Sequence, residues 1–322
     1  MLTLGTWRGL QAASTPRGAF VILALDHRNN LRAMLRPGAP ETVTSAEMVE
    51  FKRQVVAALA PLTSAVLLDP VYGAAQSVAG GALPGQTGLI IALEETGYKG
   101  HANARISEIL AGWSVEKIRR AGGDGVKLLV YYHPAAPTAR TQEDLINRVA
   151  EDCTRHDIAL YLEVLSFSLD PARRKLAVDE REQVVIESAR RLSGSGITVL
   201  KAEFPVDYAA VPDEQKWLAA CQRLSAASVV PWVLLSAAAP YDIFKRQVEI
   251  AAIAGASGVM VGRAAWQEAG ALVGQARVDF LRGEGRRRMQ GLNDILELHA
   301  RPWHEVLSGQ MPVVSDQWYR HY

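Results

Sequence analysis

Four ionisable residues stand where the pattern calls for apolar ones. Lys127 interrupts GVKLLVYY, Glu163 interrupts LYLEVL, and Lys201, with Glu203 two positions on, falls in TVLKAEF. Asp26 ends the run FVILAL and is followed by His27 and Arg28. An isolated charge in an apolar setting costs several kcal/mol unless it is paired, so these residues mark either an ion-pair network or a reactive site. The reactive reading has specific chemistry. A lysine must be neutral to attack a carbonyl, against an ordinary pKa of about 10.4. Burial and a second cation both lower that pKa, so Lys127 beside Lys201 would make an amine nucleophile. The iminium so formed is an electron sink that allows the neighbouring carbon–carbon bond to break or form, with Glu163 as proton shuttle. The competing reading is a Lys–Glu–Lys–Asp network that only ties strands together. Glu203, two positions after Lys201 and hence on the same side of the strand, is assigned a supporting role, and Asp69 is equally well a cap for the loop that follows it.

A second group of residues suits an anion. One apolar run ends in LLSAAAP and another in GVMVGRAAW, which offers Ser236, Gly262 and Arg263. A loop backbone, a helix start and an arginine together make a phosphate site. The seven histidines show no HxH, HxxxH or HExxH spacing, so no metal or other cofactor is expected. His27 closes a strand where it can touch substrate; His101, His133, His156, His299, His304 and His321 read as packing or surface residues.

The elements that must position these residues alternate along the chain. Short apolar runs occur at 20–25, 65–68, 89–93, 126–132, 158–165, 197–204, 232–236 and 258–262, each bounded by Gly, Pro, Asp or Ser. Near-continuous hydrophobicity of this kind suits parallel strands covered on both faces. Between them lie amphipathic stretches such as SAEMVEFKRQVVAALA, TQEDLINRVAEDCTRHD and YDIFKRQVEIAAIAG, several opening on Ser or Thr and closing near Gly. Eight strands each followed by a helix predict an α/β fold, a (β/α)8 TIM barrel. An open doubly wound sheet is the alternative, but neither GxGxxG nor GxxxxGK[ST] is present to make it a nucleotide fold. Segments 70–87, 96–113 and 166–183 are extended βα loops, on the face where barrels build sites. Residues 264–322 form a C-terminal helical extension, and residues 1–322 read as one domain.

Composition sets the class. The 322 residues carry 35 Lys and Arg against 34 Asp and Glu, a net charge of +1, which gives no general attraction to nucleic acid or anionic membrane. Arg286, Arg287 and Arg288 form the densest basic run, read as a solvated helix face or an oligomer contact. The two cysteines, Cys153 and Cys221, fit no CxxC pattern. No run approaches the roughly twenty apolar residues of a membrane span, and no signal peptide is read at the start. A cytoplasmic enzyme is expected, its partner a small-molecule sugar phosphate, with association into a homo-oligomer left open.

The motifs ALDHR (24–28), SAVLLDPVYG (64–73), EETGY (94–98), VKLLVYY (126–132), LEVL (162–165), LKAEFP (200–205), WVLLSA (232–237) and AGASGVMVGRAAW (254–266) form a specific set. Taken together, the chain resembles the tagatose-1,6-bisphosphate aldolase family of class I aldolases, from about residue 18 to 268. The related sulfofructose-phosphate aldolases share much of the pattern. The resemblance implies that Lys201 forms a Schiff base and Glu163 acts as acid and base, with Asp26 and Lys127 in the same pocket. Ser236, Gly262 and Arg263 would hold one phosphate, and Arg28 would reach toward the other anionic end. Two departures bear on specificity. His27 replaces a glutamine usual in the family, and Ala238 replaces a glycine, adding a Cβ at a turn where a positive φ is disfavoured for other residues. Another ketose phosphate as substrate is the runner-up; a zinc aldolase, a metal-dependent isomerase or a non-catalytic sugar-phosphate sensor are the rivals.

Overall fold

In the computed structural model, which describes residues 1–173, 175–320 and 322, the period-two alternation of eight strands decides which side chains face one another. Arg174 and His321 lie outside the described residues, and the reading of His321 with them. The strands are β1 (Phe20–Leu25), β2 (Ala65–Leu68), β3 (Gly88–Ala92), β4 (Gly125–Tyr131), β5 (Ala159–Leu165), β6 (Val199–Ala202), β7 (Trp232–Leu235) and β8 (Gly258–Val261). All pair in parallel, and β1 meets both β2 and β8, so the sheet closes. The predicted barrel is the observed one, each strand lying within one residue of its apolar run except β6, two residues shorter at both ends.

Near-continuous hydrophobicity arises because both faces are buried. Phe20, Ile22 and Ala24 of β1 point inward with Ala65, Leu67, Ile90, Ala159, Tyr161, Val199, Val233 and Met260. The alternate residues, among them Val21, Leu23, Val66, Val126, Leu128, Leu160 and Leu200, pack outward against the helices. Leu10, Ala13, Trp303 and Leu307 join the inner cluster and stop the N-terminal end of the barrel. Helix Leu4–Ala12 lies there so closely that a Cβ on Gly9 would meet Asp124 O at 2.4 Å. The C-terminal end is left open for a site.

Local sequence explains the helices. Ser45–Leu59 starts at a capping box in which Thr44 Oγ1 accepts from Glu47 N and Glu47 Oε2 accepts from Thr44 N. Its inner face is Met48, Phe51, Lys52, Val55, Val56 and Leu59. Lys52 is fully buried; its Nζ donates to Leu25 O at 2.7 Å and pairs with Asp69. The other Asp69 oxygen accepts from the amides of Val71 and Tyr72, which makes Asp69 a loop cap as well as a counter-ion. Burial pushes the Lys52 pKa below its ordinary value although Asp69 opposes this.

The long βα loops carry short elements of their own. Segment 70–87 contains helix Ala74–Ala79, and segment 96–113 a two-stranded ribbon of Lys99–His101 with Ala104–Ile106. Arg105 of that ribbon lies over the rings of Tyr98, Phe167 and Tyr131 at 4.6, 5.1 and 5.4 Å. The tail is helical as expected: Gly274–Phe280 continues through a π-turn into Arg286–His299, burying Leu281, Met289, Leu292 and Leu296. The basic run is largely answered within the chain. Arg287 and Arg288 pair with Glu284, Arg288 also with Glu268, and Arg286 donates to Ala58 O. No described helix is long and apolar enough to cross a membrane.

Replacing Lys52 by methionine leaves Asp69 buried without a counter-ion, at an expected loss of about 3–5 kcal/mol. Urea unfolding monitored by far-ultraviolet circular dichroism measures it; a loss below 1 kcal/mol contradicts the assignment.

Candidate active site

The strand parity that fills the barrel also builds its mouth. Inward positions continue upward from Ala24 to Asp26, from Ala92 to Glu94, from Tyr161 to Glu163 and from Val199 to Lys201, while Lys127 shares the inward series of β4. All nine residues singled out from the sequence, Asp26, His27, Arg28, Lys127, Glu163, Lys201, Ser236, Gly262 and Arg263, line one cavity of about 180 Å³.

Lys127 is its centre. It is 1% exposed, and its Nζ contacts Asp26 Oδ2 at 2.7 Å, Glu94 Oε1 at 2.5 Å and Glu163 Oε2 at 2.9 Å. Burial disfavours the charge, but Asp26, Glu163 and Glu94 outweigh it and hold the Lys127 pKa well above the usual range. Lys201 Nζ lies 2.8 Å from the same Glu163 oxygen, its neighbour across the β5–β6 register. Burial would raise the Glu163 pKa, yet Lys127 and Lys201 bring it below the ordinary value, and Asp26 is likewise held low against its own burial by the two lysines.

This geometry changes the expected electrostatics. Lys127 is not a bare cation beside Lys201, because three carboxylates compensate it. Glu94 stands in the motif EETGY, but nothing in the sequence gives it a role of its own. It directly follows the apolar run LIIAL, as loop residues do, and its signal is its even spacing from Ile90 and Ala92. Its second oxygen accepts from Leu129 N at 3.1 Å, which ties the loop after β3 to β4. Glu203 also departs from expectation. Strand β6 ends at Ala202, so alternation stops and Glu203 turns away from the cavity to accept from Ser166 N at 2.8 Å and pair with Arg181 at 3.4 Å. It keeps a supporting role by clamping the loop after β5.

The opposite wall is an anion cradle. Ser236 Oγ accepts from Gly262 N at 3.2 Å, which joins the ends of β7 and β8. Space at Gly262 is tight: a Cβ there would lie 3.2 Å from His27 Cε1. Ala237 and Ala238 both adopt left-handed backbone, with φ 43° and 59°. Non-glycine residues pay about 1–2 kcal/mol each for this, so the turn after β7 is strained. Arg263 is half-buried, and burial lowers its pKa. It belongs to no ion pair among the described residues, unlike Arg28, whose guanidinium donates to Glu94 O at 2.5 Å and faces Glu95 at 3.6 Å. Arg28 is therefore committed to the loop after β3 rather than reaching freely into the cavity.

His27 stands edge-on to Trp266 at 5.2 Å. Burial, reinforced by Arg263, Lys52 and Lys201 against the pull of Asp26, lowers its pKa to about 4. Among the described residues no three His, Cys, Asp or Glu side chains are grouped to hold a metal ion. The depressed value has a signed consequence. Between its ordinary pKa of 6.5 and about 4, the unfolded chain binds a proton at His27 that the native chain does not, so stability falls as pH is lowered through that window. Changing His27→Gln should remove about 2–3 kcal/mol of this fall, read as the difference between variant and parent urea unfolding curves at pH 7 and pH 4.5; parallel curves would refute it.

The comparisons with known proteins agree with this arrangement. The DeoC/LacD family aldolase profile matches residues 20–268. The chain is 31% identical to tagatose 1,6-diphosphate aldolase 2 of Streptococcus mutans serotype c, over 93% of this chain and 96% of that protein. It is 32% identical to tagatose 1,6-diphosphate aldolase 2 of Enterococcus faecalis, over 94% and 97% of the two chains. An archaeal fructose 1,6-bisphosphate aldolase superposes with a TM-score of 0.60 at 20% identity, covering 90% of this chain and 98% of that one, which is a likeness of fold. A barrel closed at one end, a charged mouth at the other and these relatives lead to one assignment: the chain is an aldehyde-lyase belonging to the DeoC/LacD family of aldolases.

Proposed function

We propose that this aldolase cleaves a phosphorylated ketose, of the tagatose 1,6-bisphosphate type, reversibly into dihydroxyacetone phosphate and an aldehyde such as glyceraldehyde 3-phosphate, through a Schiff base on Lys201. The observation that carries the proposal is the unequal ion pairing of the two buried lysines. Lys127 is locked as an ammonium by three carboxylates, whereas Lys201 has Glu163 alone among the described residues. A nucleophile must release its proton, and the singly held amine is the one that can.

The steps follow from the contacts. The ammonium proton of Lys201 passes to Glu163 Oε2, its acceptor at 2.8 Å. The neutral amine adds to the C2 carbonyl, and the carbinolamine loses water to give an iminium. Glu163, deprotonated again, removes the C4 hydroxyl proton as the C3–C4 bond breaks, and its electron pair moves into the iminium to leave an enamine. Protonation at C3 and hydrolysis return Lys201 and release the ketone phosphate. Lys127 stays charged throughout and steadies Glu163 as it gains and loses the proton. Ser236, Gly262 and Arg263 hold one phosphate, as a loop end, a backbone amide and an unpaired guanidinium suit. The curated relatives, named for tagatose 1,6-diphosphate, support a bisphosphate of this kind as the substrate class.

Borohydride added to the enzyme with a mixed pool of ketose phosphates should fix a covalent adduct on Lys201, located by peptide mass spectrometry, whose mass reports the substrate. Lys201→Ala should abolish trapping and turnover, and Glu163→Gln should lower kcat by about 10²–10⁴ with far less change in KM. Unchanged turnover in Lys201→Ala would sink the Schiff-base reading.

A further inference from the structure

His27 is the residue of the mouth whose hydrogen bonding is unfinished. Its Nδ1 is buried and has no hydrogen-bond partner among the described residues, and Asp26 Oδ1 stands 3.9 Å away. The ring is wedged between Trp266 and Gly262, close enough that a Cβ on Gly262 would press on it, and it borders the same cavity as Ser236 and Arg263. The charged groups acting on it are Asp26 from its own strand end, Arg263 from the end of β8, Lys201 from β6 and Lys52 from helix Ser45–Leu59. Three of the four are cations, so the unliganded mouth resists a further positive charge.

We propose that His27 is an additional ligand of the anion held at Arg263, and that its imidazole takes up one proton from solvent as a dianion enters, so that anion binding strengthens as pH falls. Two negative charges placed between Arg263 and the ring reverse the local balance: they screen Arg263 and join Asp26 in favouring imidazolium. Linkage makes the effect reciprocal, since an anion that raises the proton affinity of the ring is bound more tightly once the ring is protonated. No bond to the ring is made or broken beyond the N–H. The glutamine usual in the resembling family can donate a hydrogen bond at this position but cannot titrate, so proton-linked binding would be a property of this chain. The inference rests on the anion site of the proposed function and adds its specificity and pH response.

Inorganic sulfate is the probe, because it stays dianionic across the range and contributes no titration of its own. Calorimetric titration of the full chain with sulfate should show affinity rising about tenfold or more between pH 8 and pH 5.5, with proton uptake seen in buffers of different ionisation enthalpy. In His27→Gln the same titration should be flat to within about twofold. On the parent protein alone, the His27 ring nitrogen signals should move toward the imidazolium form when sulfate is added at pH 6, a readout that does not depend on a variant folding. A flat profile in the parent, an equal slope in His27→Gln, ring signals indifferent to sulfate, or no sulfate binding would each overturn the inference. Labelling of Lys201 by borohydride is independent of all four: a trapped adduct with a flat sulfate profile sinks this inference and spares the Schiff base, and pH-linked sulfate binding without any adduct does the reverse.

Discussion

A single buried ammonium organises the open end of this barrel. Lys127 has almost no contact with water, and the cost of burying its charge is met by carboxylates from the ends of β1 and β5 and from the loop after β3. None of those carboxylates would be tolerated there alone, and each keeps its charge because the lysine is present. The result is a rigid ionic knot that fixes three segments relative to β4, with Glu163 left holding a second lysine by the oxygen it already shares. Site and structure are one network. The ion-pair network is present in either case, and the proposed reaction on Lys201 would use its least-held member rather than replace the network.

Charge is distributed unevenly around the mouth. On the side of β1, β3, β4 and β5, cations are matched: Lys127 by three carboxylates, and Arg28 by Glu95 and a backbone oxygen. On the side of β7 and β8, Arg263 forms no ion pair among the described residues and lines the cavity with the Gly262 amide and the Ser236 hydroxyl. Under the proposed function, this asymmetry would turn the anionic end of a ligand toward β8 before any detailed contact forms. The strained alanines at 237 and 238 lie on this same side, where a backbone held in an unfavourable conformation is supported by the packed ends of two strands.

The barrel was legible because each strand is apolar on both faces while the helices are apolar on one, a pattern that a closed ring of eight such pairs satisfies without leaving an edge strand. Four of the residues lining the cavity were legible for a related reason: Asp26, Lys127, Glu163 and Lys201 are charges at inward parity in apolar strands or just past one, and that parity opens on the mouth. What escaped lay beyond regular structure. Glu94 continues the inward series of β3 past the last apolar residue, where a reader of sequence sees a polar loop. Glu203 shows the reverse, since parity extrapolated beyond Ala202 put it inside and the chain had already turned. Lys52 was hidden by its neighbours: in EFKRQ a lysine reads as one more solvated position, and only the phase of Met48, Phe51, Val55 and Val56 puts it on the buried face.

Lys52 matters beyond stability because of where its second bond goes. It donates to the carbonyl of Leu25, and the next residue, Asp26, carries the carboxylate that closes on Lys127. Two buried lysines thus grip adjacent residues of one strand end, one through the backbone from outside the barrel and one through a side chain from within. His27 follows immediately and has no comparable hold, since its ring is fixed by packing against Trp266 with Nδ1 unsatisfied. The strand end is therefore rigid up to Asp26 and polar but unsaturated at His27. The cavity thus presents, at Asp26, a carboxylate already held by Lys127 and, one residue later, an imidazole nitrogen to which no described residue bonds.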